Sequence, residues 1–219
     1  MIHWMQKLFL SSIGKKSVMA VSGLLLIGFL IAHLAGNLLL FKDDRGAAFD
    51  GYEQMLSSNP LLPLAEVGLL ALFGGHIVMA LILSAGNSGA RRQRYEVDAR
   101  HGGKTFSSTT MLITGLVIAG FLVIHILDFR IAKIGKDEYS MAAMVRERLS
   151  SGLGAGVYIV AMLALGLHLR HAFQSALQTL GLHHPRWTPL VQKLSIALAL
   201  ILALGFASIP MYFLATAGQ

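Results

Sequence analysis

Five apolar stretches of about twenty residues each constrain this chain more than any other feature of its sequence. A helix rising about 1.5 Å per residue needs about that length to cross roughly 30 Å of hydrocarbon. A lipid-exposed backbone has no water to bond, and a helix satisfies its polar groups internally. The expected spans are 18–41, 61–86, 109–131, 153–172 (able to continue as a more polar helix) and 190–214. SSNPLLP suits a turn and helix start before the second span, and Pro210 is tolerable near the end of the fifth. The fold class is therefore all-α: an integral membrane bundle of five transmembrane helices, read as one domain over 1–219. Hydrophobic residues make up 55% of the chain, which fits a polytopic membrane protein rather than a soluble core. MIHWMQKLFLSSIGKK has no usual cleavable-signal pattern. With Trp4, Leu8, Phe9 and Ile13 on roughly one face, it reads as an interfacial helix. There is no cysteine, so disulfides, zinc-thiolate sites and cysteine-ligated iron–sulfur clusters are excluded.

The net charge of +7 points to topology rather than to nucleic acid. Lys7, Lys15 and Lys16 precede the first span. Arg91, Arg92, Arg94, Arg100 and Lys104 crowd the second connection, against Glu96 and Asp98. Arg186 and Lys193 follow the fourth span, with Arg170 near its end. The first connection, KDDRGAAFDGYEQ, is net acidic, and the third is nearly balanced. The positive-inside rule thus sets the N-terminus in the cytoplasm and, with five spans, the C-terminus outside. In a bacterium this means a multi-pass protein of the cytoplasmic membrane with a periplasmic C-terminus. EYSMAAMVRERL is expected to form a short amphipathic helix on the outer surface.

His33, His76, His125 and His168 lie in four different spans, each in the later half of its helix. Because consecutive spans run in opposite directions, His33 pairs with His125 in an outer layer and His76 with His168 in an inner layer. Two imidazoles facing across a bundle suit axial ligation of a haem iron, and two layers suit two haems. Gly36, Gly74, Gly75, Gly120 and Gly166 near these histidines would let a macrocycle approach the backbone, although glycine also serves ordinary helix packing. A single intramembrane histidine equally suits a hydrogen bond between helices or a proton relay. Four at matching depths favour a cofactor. His171 shares a face with His168, but HLRH lacks the carboxylates or thiols of a metal pair and suits the inner edge. His3, His101, His183 and His184 sit in end or connecting segments.

SIGKKSVMAVSGLLLIGFLIAHLAGNLLLF, FGGHIVMAL and HLRHAFQSALQTLG together resemble a known family. It is the di-haem cytochrome b membrane anchor of bacterial succinate:quinone and quinol:fumarate oxidoreductases, in its single-chain five-helix form. The resemblance covers nearly the whole chain. It implies a four-helix haem-binding core with a fifth accompanying helix. It implies two b-type haems, with iron held by His33 and His125 in the outer layer and by His76 and His168 in the inner. The family's ligand in the fourth span is the first histidine of its stretch, so that role falls on His168, not His171. Also implied are a flavoprotein partner carrying FAD, an iron–sulfur partner, and a possible higher oligomer of the complex. The two partners would dock on the cytoplasmic face, where the basic second connection and N-terminal segment lie. Quinone, menaquinone by the resemblance, would react near the outer haem.

Quinone chemistry needs an ionisable group at the outer membrane edge. Asp50, Glu53 and Glu66 qualify by position, with Glu53 the first choice and Glu66 the second; the plainer reading is a solvated Glu53 and a Glu66 that supports its helix N-terminus. Asp128 and Arg130 after His125 can pair with each other or with lipid head groups, ahead of a role beside the outer haem or quinone. Lys15, Lys16, Ser17, Ser22 and Arg170 are placed to contact inner-haem propionates, or in the case of the cations to snorkel toward lipid phosphate. The expected function is electron transfer through two haems between a quinone pool and succinate/fumarate chemistry on a partner subunit. The rivals are a cytochrome b anchor for another membrane dehydrogenase and a haem-free transporter or channel using histidine relays.

Overall fold

The computed structural model describes residues 11–89, 110–135, 140–182 and 184–217. The expected interfacial segment carrying Trp4, Leu8 and Phe9 and the arginine-rich second connection lie outside the described residues. Among the described residues the chain is helical throughout its regular structure. The helices are α1 (Ser12–Asn37, followed by a 3₁₀ turn at Leu38–Phe41), α2 (Ala47–Ser57), α3 (Leu62–Gly89), α4 (Met111–His125), α5 (Met141–Leu149), α6 (Gly152–Thr179) and α7 (Thr188–Ala215). A π-turn over Ile126–Ile131 continues α4. Five segments are long and apolar enough to cross a membrane: Ser12–Phe41, Leu62–Gly86, Met111–Ile131, Gly152–Thr179 and Thr188–Ala215.

Local chemistry sets the ends. Ser11, Ser140 and Ser151 each accept a hydrogen bond from a first-turn backbone N–H, those of Gly14, Ala143 and Gly154, and so cap α1, α5 and α6. Pro189 occupies the start of α7, where a missing N–H costs nothing. The fourth span does continue past 172. It stops only where Gly181 turns left-handed (φ +83°) and the Leu182 N–H bonds back to the Leu177 carbonyl at 2.9 Å.

The face at which α1 starts is here termed the N-terminal face. Consecutive spans are antiparallel, so α1, α4 and α7 end at the opposite face, where α2 and α5 pack against each other. The α5 helix fulfils the expectation of a short amphipathic helix on that side, with Ala142, Val145 and Leu149 buried.

Apolar burial concentrates in α1, α6 and α7. Ile27, Leu34, Ala161, Met162, Leu165, Leu169, Ala199, Leu202 and Ala207 form one core. Leu40, Phe49, Ala142, Val145, Leu149, Tyr158, Ile209 and Phe213 form a second under the opposite face. Helices in lipid gain little from the hydrophobic effect, so α6 and α7 associate by close packing of small residues. A Cβ on Gly166 would come within 2.9 Å of that of Ala203. The fully buried Ser195 hydroxyl of α7 donates to the Arg170 carbonyl of α6 at 2.6 Å.

The first four spans form a ring in which α3 packs on α1, α1 on α6 and α6 on α4, while α3 and α4 barely touch. None of the apolar window of α3 is buried, against 44% of that of α7. The fifth span is therefore more than an accompaniment to a four-helix core. It completes the protein's own core, and the ring is open between its second and third spans.

Asp50 joins the two surface helices: it accepts from the Ser140 hydroxyl (2.5 Å) and the Ala142 N–H (2.9 Å) at the start of α5. Gly46, at φ +93°, precedes α2, and a Cβ there would collide with that of Ala142. Gly46→Ala is expected to cost about 1–3 kcal/mol through the left-handed backbone and the collision. Gly51→Ala, in the open middle of α2, should instead be neutral or mildly stabilising. Apparent melting temperatures of the two variants in detergent check the contrast.

Candidate functional site

The four intramembrane histidines lie at two depths. His33 on α1 and His125 on α4 face each other toward the opposite membrane face, with ring centres 5.9 Å apart and planes at 87°. His76 on α3 lies beside the early part of α1, where Ser22 and Gly23 touch its ring. His168 on α6 lies beside the early part of α4, against Thr114 and facing Gly115. The His33–His125 ring contact agrees with the pairing expected from antiparallel spans, and His76 and His168 both lie at the other depth, beside the early parts of α1 and α4. The two layers differ in depth by the ten or eleven residues of α1 between Ser22–Gly23 and His33, about 16 Å along a helix.

Each histidine makes a polar contact that constrains its ring nitrogens. Ser22 Oγ is 2.9 Å from His76 Nδ1. Thr114 Oγ1 is 3.3 Å from His168 Nδ1. The Tyr158 hydroxyl is 3.4 Å from His125 Nδ1. A hydroxyl has one proton, and each of these has another acceptor for it. Ser22 donates to the Met19 carbonyl, Thr114 to the carbonyls of Thr110 and Met111, and Tyr158 to Asp128 Oδ2 at 3.0 Å. All of these contacts are satisfied together when the hydroxyl oxygens accept, with the imidazole proton on Nδ1 and a lone pair on Nε2. At His33 the Asn37 amide nitrogen, already donating to the His33 carbonyl at 2.8 Å, stands 3.5 Å from Nε2. At His33 the engaged nitrogen is therefore Nε2, the one the other three rings leave without such a contact. A neutral ring with its proton held at one nitrogen presents the other to a metal.

Among the described residues no three His, Cys, Asp or Glu side chains gather into a metal cage. Two imidazoles per layer are too few for a tetrahedral zinc site. They match an ion whose other ligands come from a macrocycle. With each nitrogen about 2 Å from a shared metal, two imidazole centres stand about 6 Å apart, close to the His33–His125 separation. At His33–His125 the donor pair and its spacing fit a bis-histidine haem.

The glycines behave differently from one another. The Cβ positions of Gly74, Gly75 and Gly120 face open space. Gly36 is instead packed against Tyr52 and Gly166 against Ala203, so neither clears room for a macrocycle. The glycines that face histidines are Gly23 and Gly115. A Cβ on either would stand 3.4 Å from Cε1 of His76 or His168.

Aromatic side chains enclose the His33–His125 layer. Phe29 stacks on His33 at 5.3 Å, and Phe206 of α7 lies 5.8 Å from it. Phe121, Phe129 and Tyr158 surround His125. Phe29, Phe121 and Phe129 stand four residues from a histidine, a helical-neighbour spacing readable in the sequence. Tyr158, Thr114 and Phe206 approach from other helices and carry no such signal.

Carboxylates and cations cluster where α4 ends. Arg130 holds Glu66 with two hydrogen bonds, 2.7 and 2.9 Å, and Lys133 pairs with Glu53. Asp128 does not pair with Arg130. Residues two apart on a helix point away from each other, and Asp128 turns to Tyr158 and to Arg148 of α5 (2.7 Å). Both acids considered for quinone chemistry thus sit at the opposite face, tied to the turn that follows His125. Of the residues considered for propionates, Lys15 is half-buried and Arg170 exposed. Ser17 bonds back to the Ile13 carbonyl, and Ser22 is engaged with His76. Ser17 and Ser22 also line an open groove of about 360 Å³ with Val18, Val21, Leu25 and Leu72.

Protein-family models, curated proteins and solved structures give no match to this chain.

The hydroxyl contacts make a spectroscopic prediction. In the haem-free chain labelled with ¹⁵N-histidine, solid-state NMR is expected to show His76, His125 and His168 as neutral rings protonated at Nδ1. Ser22→Ala should abolish that preference at His76 alone. Predominant Nε2 protonation in the unsubstituted chain would contradict the assignment.

Proposed function

We propose that this chain is a di-haem cytochrome b anchor that carries electrons between membrane quinone and a peripheral succinate/fumarate catalytic unit. One observation supports the haem reading: four intramembrane imidazoles at two depths, with His33 and His125 in ring contact and His76, His125 and His168 each engaged at Nδ1, on the side away from Nε2. His33 and His125 would hold one haem, and His76 and His168 the other. Bound there, haem supplies reversible one-electron transfer through its iron. The chain's own residues orient His76, His125 and His168 through Nδ1, exclude water with Phe29, Phe121, Phe129 and Phe206, and keep the two layers apart.

Charge asymmetry supports a cytoplasmic N-terminus, which makes the His76–His168 layer the inner one and the Glu53–Glu66 cluster periplasmic. Quinol oxidation releases protons, and a carboxylate at the outer edge can receive them. Glu53 remains the first choice and Glu66 the second. Each must loosen from its cation, Lys133 or Arg130, to exchange a proton. The identity of the partners, an FAD flavoprotein and an iron–sulfur protein on the cytoplasmic side, rests on the family resemblance alone, as does menaquinone. Lys15 and Arg170 at the N-terminal face are placed for propionates of the inner haem.

A reduced-minus-oxidised spectrum of the purified intact assembly, with haem counted per chain, tests this reading. Two b-type haems per chain are expected. His33→Ala and His125→Ala should abolish one shared haem signal, and His76→Ala and His168→Ala the other. A preparation without b-type haem would favour a histidine-relay channel. Two haems with a different co-purifying dehydrogenase would keep the cytochrome and reject the succinate/fumarate assignment.

A further inference from the structure

The two histidine layers differ in what stands behind their rings. In the His76–His168 layer the Nδ1 partners are neutral hydroxyls, Ser22 and Thr114, whose own protons go to backbone carbonyls. In the His33–His125 layer the Tyr158 hydroxyl joins His125 Nδ1 to a carboxylate, Asp128. That carboxylate is held in turn by Arg148 of the surface helix α5. Asp128 lies in the π-turn that begins just after His125, three residues on and so on the same side toward α6, and such turns recur at functional sites. Tyr158 is buried within the protein, so the hydroxyl between ring and carboxylate is shielded from competing water.

We infer that Asp128, acting through Tyr158 and opposed by Arg148, is a positioning and tuning group that sets the redox potential of the His33–His125 haem separately from the other. The inference rests on the haem reading above. A ligating imidazole that donates its second N–H into a chain ending on an anion becomes a stronger electron donor. A nearby negative charge also favours the more positive, oxidised iron. Both effects lower the potential. The Arg148 guanidinium, bonded to the same carboxylate oxygen that Tyr158 uses, offsets part of that charge. The second layer has no charged group in this relation to its rings among the described hydrogen bonds. The link also joins the haem site to α5, so a shift of that surface helix would alter the potential without moving a ligand.

A redox titration of the purified intact assembly, following both haems by their spectra and counting haem per chain, tests the inference. Asp128→Asn keeps the shape and an acceptor oxygen but removes the charge. It is expected to raise the potential of one haem, changing its oxidised-to-reduced ratio several-fold at fixed ambient potential, and to leave the other unmoved. Arg148→Gln should shift the same haem in the opposite direction. Tyr158→Phe, which breaks the link with both charges in place, should act as Asp128→Asn does. Opposite shifts for Asp128→Asn and Arg148→Gln cannot come from loosened packing. Two haems whose potentials ignore all three substitutions would overturn the inference and leave the haem reading standing. So would loss of haem in all three variants, or shifts of one sign only. An unsubstituted assembly without b-type haem would overturn both.

Discussion

An imidazole in hydrocarbon has two ring nitrogens and no water to serve them, and the arrangement of this bundle follows from how that need is met. One nitrogen of His76 is served by α1, one of His168 by α4 and one of His125 by α6. The same contacts that orient the rings therefore tie the helices. The α1–α3 pair has such a tie at Ser22–His76. The α4–α6 pair has one near each end, Thr114–His168 and His125–Tyr158. Polar contacts between membrane helices average about 0.6 kcal/mol and reach about 1.7 kcal/mol. Their weight here lies in register: each fixes the depth at which a histidine meets the facing helix.

Close packing does the rest, unevenly. α1, α6 and α7 bury their apolar side chains in one another, and α3 and α4 attach to that unit by one flank each. The ring they form is open between the second and third spans. At the opposite face the acidic groups Asp50, Glu53, Glu66 and Asp128 are each tied to a surface segment or cation. The turn following His125 gathers three of those ties. The end of α4 is thus the place where the intramembrane histidines and the membrane-edge charges come closest to acting together.

Much of this was legible in residues alone. Apolar run length gave the five spans, and antiparallel order alone pairs His33 with His125 and His76 with His168. The amphipathic pattern of EYSMAAMVRERL marked α5. The glycines read less well. Gly36, three residues from His33, points at Tyr52 instead of the ring layer, whereas Gly23 and Gly115, remote in sequence from any histidine, lie against His76 and His168. Position along one helix says which residues share a face, but not which neighbour that face will meet. Asp128 and Arg130 show the same limit. Proximity in sequence suggested a pair, and helical geometry sends them to different partners.

The sequence by itself determined that this chain crosses a membrane as helices, that charge is distributed asymmetrically between its connections, and that histidines recur at matching depths. Those properties depend on run length, net charge and antiparallel order, which are sums over local residues. Only the tertiary structure decided which nitrogen of each histidine is engaged, that Tyr158 and Asp128 stand behind one ring while Ser22 and Thr114 stand behind others, and that the fifth span completes the core. Those depend on the rotation of each helix about its own axis. In lipid that rotation is set by small-residue packing and a few hydrogen bonds between helices, contacts made by residues tens of positions apart.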